Sequence, residues 1–321
     1  SKWYKGRPAL DGLRFGVPKG QVCGLLGPDG AGKTTALDVL SGCLPPDDGA
    51  ALLGGVDIAK QPGEAKARTG YMPAVPPLYE DLSIRGYLKF VGSARGMSSK
   101  EMAEKIDRAI KRVKLADVAD LPMKSLSAGA RRMASLAQAT LCDPDVLLLD
   151  EPTADLDPRE VVELRAVLAA LRGGPSILIA TSSITEAVQL CDRVLVLREG
   201  RIVADCAPGE LAGPVSETGR LLVTVKGSEA NVRAVLSTIK GLAVDEAAPA
   251  SAAGAVDLAL SMAGIDDARE ALFFALAAAK LPILALRPER ATLDELLLAL
   301  SSERVVAEPA REEGDAHGGD L

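Results

Sequence analysis

Apolar positions along the chain fall into two rhythms. Short continuous runs occur at 21–26 (QVCGLL), 146–150 (VLLLD), 176–181 (SILIAT) and 193–198 (RVLVLR). Such runs, too short for helices and with little polar alternation, predict strands buried on both faces of a sheet. Helical stretches lie between them, one beginning near Lys33 and another spanning Pro158 to Leu171. Strands alternating with helices imply a mostly parallel sheet with helices around it, an α/β fold. Residues 79–125 interrupt this order. There Met102, Ile106, Ile110 and Val113 recur at helical spacing, so the segment reads as an inserted all-helical subdomain.

A Gly- and Pro-containing segment at 207–218, with Pro208, Gly209, Gly213 and Pro214, reads as a loop and a domain boundary. Beyond it the pattern gives a strand (221–225), a helix (229–239), strands near 242–244 and at 254–262, a helix (266–280), a strand (282–288) and a helix (292–302). That order predicts a small βαββαβ domain of the ferredoxin-like type. Residues 303–321 hold six acids against Arg304 and Arg311 and read as a disordered acidic tail. The expected division is 1–210, with the helical insert at about 79–125, then 211–302, then the tail 303–321.

Composition narrows the classes. With 321 residues and 48% hydrophobic positions, the chain can bury a substantial core. A net charge of −7 argues against a nucleic-acid partner, which needs a basic excess. It does not oppose binding a polyphosphate, for which a few local cations and backbone N–H groups suffice. The five cysteines are scattered with no CxxC pair, which favours a reduced, cytoplasmic setting. The single histidine, His317, lies in the tail, which leaves no His-based metal site or triad in the body. No run reaches the roughly 18–20 apolar residues of a membrane helix, and no signal peptide is visible. Work at a membrane is therefore expected to go through a partner.

The strongest chemical signal is GPDGAGKTT at 27–35, which fits G-x-x-x-x-G-K-[ST] between a strand and a helix. In such a loop Gly27, Asp29, Gly30, Ala31 and Gly32 present backbone N–H groups to phosphate oxygens, Pro28, which has no N–H, lies within the same phosphate-binding loop, and the positive end of the next helix faces the same anion. Lys33 reaches the outer phosphates, the Thr34 hydroxyl can ligate Mg²⁺, and Thr35 continues the helix start. Asp150 ends its strand where an acid can hold Mg²⁺, and Glu151 can polarise an attacking water as general base. Taken alone, that acidic pair could equally end a strand or cap a helix. Ser127 is a candidate N-cap that, with Gly129, could offer a hydroxyl and an N–H to phosphate at a helix N-terminus.

Residues 125–158, SLSAGARRMASLAQATLCDPDVLLLDEPTADLDP, resemble the signature-to-D-loop block of ABC transporter ATPases. Leu126 to Ala130 stand at the signature position and Ala154 to Asp157 at the D-loop. The landmarks cover residues 1–210. The closing LRPERATLDELLLAL is similar to the tail of ATPases serving exporters of the gliding-motility and multidrug type. The resemblance implies a P-loop ABC cassette that binds ATP and Mg²⁺, and Tyr4 stacked on adenine, with Trp3 as an alternative. It also implies Ser127 and Gly129 facing the γ-phosphate held by a second ATP-binding subunit, in a homodimer or heterodimer. Separate transmembrane permease subunits would hold the cassette peripherally on the inner face of the membrane.

The chain departs from the family at several positions. Ala74 stands where a Gln, sometimes a Glu, normally helps hold Mg²⁺ and the attacking water. Ser182 stands where a histidine follows Thr181. Ala128 and Ala130 replace Gly and Gln in the signature. Asp155 and Asp29 add negative charge near the anion. Removing one group that stabilises charge only in the transition state costs about 2.7–4 kcal/mol, or roughly 10²–10³ in rate. Two readings follow. One is the ATPase subunit of an ABC exporter with weakened hydrolysis, using Glu151 and a degenerate switch at Ser182. The other is a catalytically degenerate ATP-binding regulatory or heterodimer-partner subunit. A soluble ABC protein of ribosomes or DNA repair would show tandem cassettes or a long coiled coil, and this chain has neither.

Overall fold

A computed structural model describes residues 1–154, 156–211, 220–250, 252, 254–262 and 268–288. The hairpin β1 (Lys2–Tyr4) and β2 (Arg7–Leu10) opens the chain, followed by β3 (Val22–Leu26) and α1 (Lys33–Ser41). A small hairpin of β4 (Leu52–Leu53) and β5 (Val56–Asp57) precedes α2 (Pro62–Ala67) and β6 (Thr69–Met72). The insert at 79–125 is helical, with α3 (Ile84–Ala94), α4 (Ser99–Arg112) and two short 3₁₀ turns. Ser83 and Ser98 cap its helices, each accepting from an amide of the first turn. Then come α5 (Ala128–Thr140), β7 (Val146–Asp150), α6 (Pro158–Leu171), β8 (Ser176–Thr181), α7 (Ile184–Leu190), β9 (Arg193–Arg198) and β10 (Arg201–Cys206).

Six strands form one sheet in the order β10-β9-β3-β8-β7-β6. All neighbours are parallel except β10, which pairs antiparallel with β9 at one edge. The apolar runs are continuous because both faces are covered. Along β7, Leu147 and Leu149 pack into the cluster under α5 and α6, while Leu148 packs towards α1. On β8, Ile177 and Ile179 take the first face and Leu178 and Ala180 the second; on β9, Val194 and Val196 oppose Leu195 and Leu197. Alternation by two along each strand fills both layers. Cys23, Cys191 and Cys206 are buried within these layers as small apolar groups.

The expected loop at 207–218 needs one correction. Residues 208–211 form a helical turn, because burying Leu211 in the first cluster favours the turn. Residues 212–219 lie outside the described residues, as do the expected helix at 292–302 and the tail at 303–321. Beyond this, β11 (Arg220–Lys226), α8 (Glu229–Leu236), β12 (Leu242–Pro249), β13 (Ala255–Met262), α9 (Arg269–Ala278) and β14 (Ile283–Pro288) follow in turn. Their antiparallel sheet has the order β12-β13-β11-β14, the strand order of a ferredoxin-like βαββαβ unit. Val223, Val225, Leu258 and Leu260 pack there against Val232, Leu236, Leu272 and Leu276 in a third, separate cluster. Among the described residues no helix is long and apolar enough to cross a membrane.

Candidate nucleotide site

Strands β3, β8 and β7 are neighbours, and their carboxyl ends lie level: Leu26 pairs with Thr181 and Asp150 with Ala180. The loops after these strands therefore emerge side by side, where parallel α/β sheets bind ligands. The Gly27 amide donates to the Thr181 carbonyl at 3.2 Å, tying the loop after β3 to the end of β8. Two glycines are required by packing. A Cβ on Gly27 would lie 2.4 Å from the Leu197 carbonyl oxygen, and one on Gly32, at φ 106°, would lie 2.5 Å from the Ala9 carbonyl oxygen. Gly32 is also the N-cap of α1, with no side-chain cap and no acid in the first turn. The first amides of α1 thus remain donors for an anion.

Lys33 is buried, and its Nζ donates to the carbonyls of Gly27 at 2.8 Å and Pro28 at 3.1 Å. Glu151 Oε1 stands 3.5 Å from the same ammonium. Pro28 and Thr35 are half-buried, Ala31 is buried, and Asp29, Gly30 and Thr34 are exposed at the loop's outer face. Asp150 is fully buried, and neither carboxylate oxygen has a partner at hydrogen-bond distance and angle. Burial pushes its carboxyl above the usual range; the nearby Thr34 hydroxyl offsets this and the Glu151 charge adds to it. Glu151 itself has φ 43°, a left-handed conformation that costs a non-glycine residue about 1–3 kcal/mol. Its amide donates to the Ala180 carbonyl at 2.9 Å.

Ser182 is exposed at the end of β8. Ala74 is half-buried, and its carbonyl accepts from Arg132 Nη1 at 2.7 Å, which ties this segment to α5. Ser127 caps α5 by accepting from the Ala130 amide at 3.0 Å, and its hydroxyl donates to Glu160 Oε1 at 3.3 Å. Glu160 also presses on Gly129, where a Cβ would fall 1.9 Å from its carboxyl carbon. Tyr4 and Trp3 are both exposed on β1, and β2 carries the Ala9 carbonyl that packs on Gly32. The P-loop, Asp150, Glu151 and Ser182 thus share one sheet edge, while the contacts of Ser127 and Gly129 run to Glu160 of α6. The D-loop residue Asp155 lies outside the described residues. Sequence reading missed Glu160, Arg132 and the buried Glu186. Glu160 and Glu186 each left a signal, as the third residue of a helix capped by Asp157 or Ser183, the spacing of a capping box, whereas Arg132 left none.

A glycine-bound loop and uncapped helix start, facing an acidic pair at the edge of a parallel sheet, define a nucleotide-binding P-loop cassette. Residues 10–154 match the family described as ABC transporter. Nod factor export ATP-binding protein I of Paraburkholderia xenovorans (strain LB400) is 38% identical over 232 residues, covering 71% of this chain and 75% of that protein. Daunorubicin/doxorubicin resistance ATP-binding protein DrrA of Streptomyces peucetius is 32% identical over 320 residues, covering 97% of this chain and 94% of that one. Among solved structures, cbiO1 from Clostridium perfringens, described as part of the ABC transporter complex cbiONQ, aligns with TM-score 0.60 and 30% identity. The alignment covers 66% of this chain and 87% of that one. The chain belongs to the ATP-binding subunits of ABC transporters.

Proposed function

We propose that this chain is the ATP-hydrolysing subunit of an ABC exporter, working slowly because Ala74 and Ser182 replace two side chains that contact the γ-phosphate. The observation that carries this reading is the sheet edge where Lys33, Asp150 and Glu151 converge while the flanking positions hold Ala74 and Ser182. Family cassettes bind ATP and act as dimers with transmembrane permeases, and both relatives above are named for export or drug resistance. Residues 1–210 form the nucleotide-binding unit, with the helical subdomain at about 79–125. The strands and helices beyond 211 form a second, small α/β unit extending to about 302, and the two separate apolar clusters support that division.

The roles follow from chemistry. The P-loop amides and Lys33 bind the phosphates, and the exposed ring of Tyr4 stacks on adenine. Mg²⁺ fits Asp150 and Thr34, because two buried carboxylate oxygens without partners beside a hydroxyl suit a hard cation. When bound, the ion neutralises charge developing on the phosphate oxygens. Glu151 takes a proton from the water that attacks the γ-phosphorus as the bond to the bridging oxygen breaks. Ser127 and Gly129 serve the γ-phosphate of a second ATP-binding subunit, identical or different. The exposed Tyr79 and Phe90 rings, 5.2 Å apart, with Val75 beside Ala74, suit docking of a permease segment that holds the chain on the inner membrane face. The net charge of −7 argues against nucleic acid as a partner.

A second reading, a regulatory or heterodimer-partner subunit with negligible turnover, is favoured by the same two positions. Steady-state hydrolysis separates them. The wild type should turn over slowly yet measurably, and Glu151→Gln should bind Mg-ATP without turnover. The double change Ala74→Gln with Ser182→His should raise turnover about tenfold or more. A rate for Glu151→Gln equal to wild type supports the regulatory subunit.

A further inference from the structure

The carboxyl of Glu186 takes no part in the chemistry above, yet it lies directly behind it. It is 3% exposed and stands third in α7, whose N-cap is Ser183. A glutamate there normally reaches back to the N-cap amide. Here the Ser183 amide donates instead to Thr181 Oγ1 at 3.0 Å, which releases the Glu186 side chain to turn inward. Its Oε2 bonds the Thr181 hydroxyl, and the Thr153 hydroxyl bears on the same carboxyl. Thr181 ends β8 immediately before Ser182 and receives the Gly27 amide on its carbonyl, whereas Thr153 follows Glu151 by two residues. Glu186 Oε1 and Arg165 Nε are both buried without a bonding partner, and the Arg165 charge acts on the carboxyl.

We infer that Glu186 is a positioning residue for ATP hydrolysis: it clamps the Thr181 hydroxyl and so fixes the end of β8, whose Ala180 carbonyl receives the Glu151 amide and whose next residue is Ser182. The inference rests on the hydrolysis reading. Glu151 holds a strained left-handed conformation, and such a conformation persists only when its surroundings over-determine it. With Ala74 and Ser182 in front, the site has few side chains that grip the γ-phosphate, so its geometry depends on the bonds behind. A buried carboxyl costs stability without partners, and here the Thr181 hydroxyl supplies one of the two oxygens with a bond.

The test compares full-length wild type, Glu186→Ala, Glu186→Gln and Glu151→Gln, by binding of a fluorescent ATP analogue with Mg²⁺ and by steady-state turnover. Glu186→Ala should lower kcat about 10–100-fold, the scale of misplacing a reacting group. KM and the nucleotide Kd should stay within about threefold, because the P-loop is untouched. Glu186→Gln keeps the size and an oxygen that accepts from the Thr181 hydroxyl and should hold kcat within about threefold of wild type. An alanine variant as fast as wild type, or a glutamine variant as slow as alanine, overturns the clamp. So does a nucleotide Kd that rises in step with the loss of kcat. Wild-type turnover no faster than that of Glu151→Gln is a separate failure: it removes the hydrolysis reading, and the clamp with it.

Discussion

Asp150 and Glu186 are buried acids at the edge of one site, and burial raises both above the usual carboxylate range. For Glu186 the Thr181 and Thr153 hydroxyls act against burial, Glu151 adds to it and Arg165 opposes it. The sign for stability follows. The unfolded chain loses each proton at a lower pH than the native chain does. Stability therefore falls as pH rises through the window between the ordinary value and the raised one, and stays lower above it. Glu186→Gln should remove that slope, matching wild type near pH 4 and gaining Tm relative to it at pH 7. A constant Tm difference across that range would contradict the assignment. Asp150→Asn removes a buried charge without partners and should raise the Tm of the nucleotide-free protein, by roughly 2–4 °C for each kcal/mol relieved. The same change should weaken Mg²⁺-dependent ATP binding, as expected where function needs a destabilised group. Thermal scans with and without Mg-ATP read both effects together.

At the scale of elements, the P-loop depends on contacts from strands distant in the chain. Gly27 abuts the Leu197 carbonyl of β9, so Gly27→Ala has no flexible neighbour to displace. Backbone must shift, and overpacking of this kind costs about 1–3 kcal/mol. Gly27→Ala should lower Tm and reduce ATP affinity together. Gly30→Ala meets no atom within 4 Å and should cost only the strain of its positive φ. Calorimetry of the two variants should rank them in that order. Helix α6 shows the opposite, local kind of control. Asp157 accepts from the amides of Arg159 and Glu160, Glu160 returns a bond to the Asp157 amide, and Pro158 opens the helix. The same Glu160 carboxylate covers Ser127 and Gly129, so a capping residue of one helix occupies the exposed start of another.

At the scale of the whole molecule, the site is proposed to be shared with a second ATP-binding subunit, identical or different. The contacts of Ser127 and Gly129 in their own chain run to Glu160, and in the proposed assembly they serve the P-loop of the second subunit. Mg-ATP should therefore drive an increase in mass, trapped by Glu151→Gln and seen by light scattering. Ser127→Arg should block it, because it places bulk and a desolvated charge against the phosphate. No ATP-dependent change in mass in the trapped variant would count against the shared site. If the partner is a second copy, the net charge of −7 on each adds repulsion, and the association should strengthen as salt is raised from low values.

What the sequence determined by itself was local. GPDGAGKTT announced the loop, because glycine alone tolerates the close approaches at Gly27 and Gly32, and lysine and threonine follow at fixed spacing. VLLLD, SILIAT and RVLVLR announced central strands, since continuous apolar runs reflect burial on both faces. Asp157 and Pro158 announced the start of α6 for reasons confined to a single turn. The tertiary structure decided the rest. The order β10-β9-β3-β8-β7-β6 brings residues near positions 27, 150 and 181 together, and it places the more polar RIVADC strand β10 antiparallel at the edge beside the buried β9. Nothing in ATSSITEAV states that Glu186 turns inward or that Ser183 finds its partner in Thr181. Nor does spacing state that Lys33 lies 3.5 Å from Glu151. Periodicity records which face of an element is buried, whereas these contacts depend on which distant strand lies beside it.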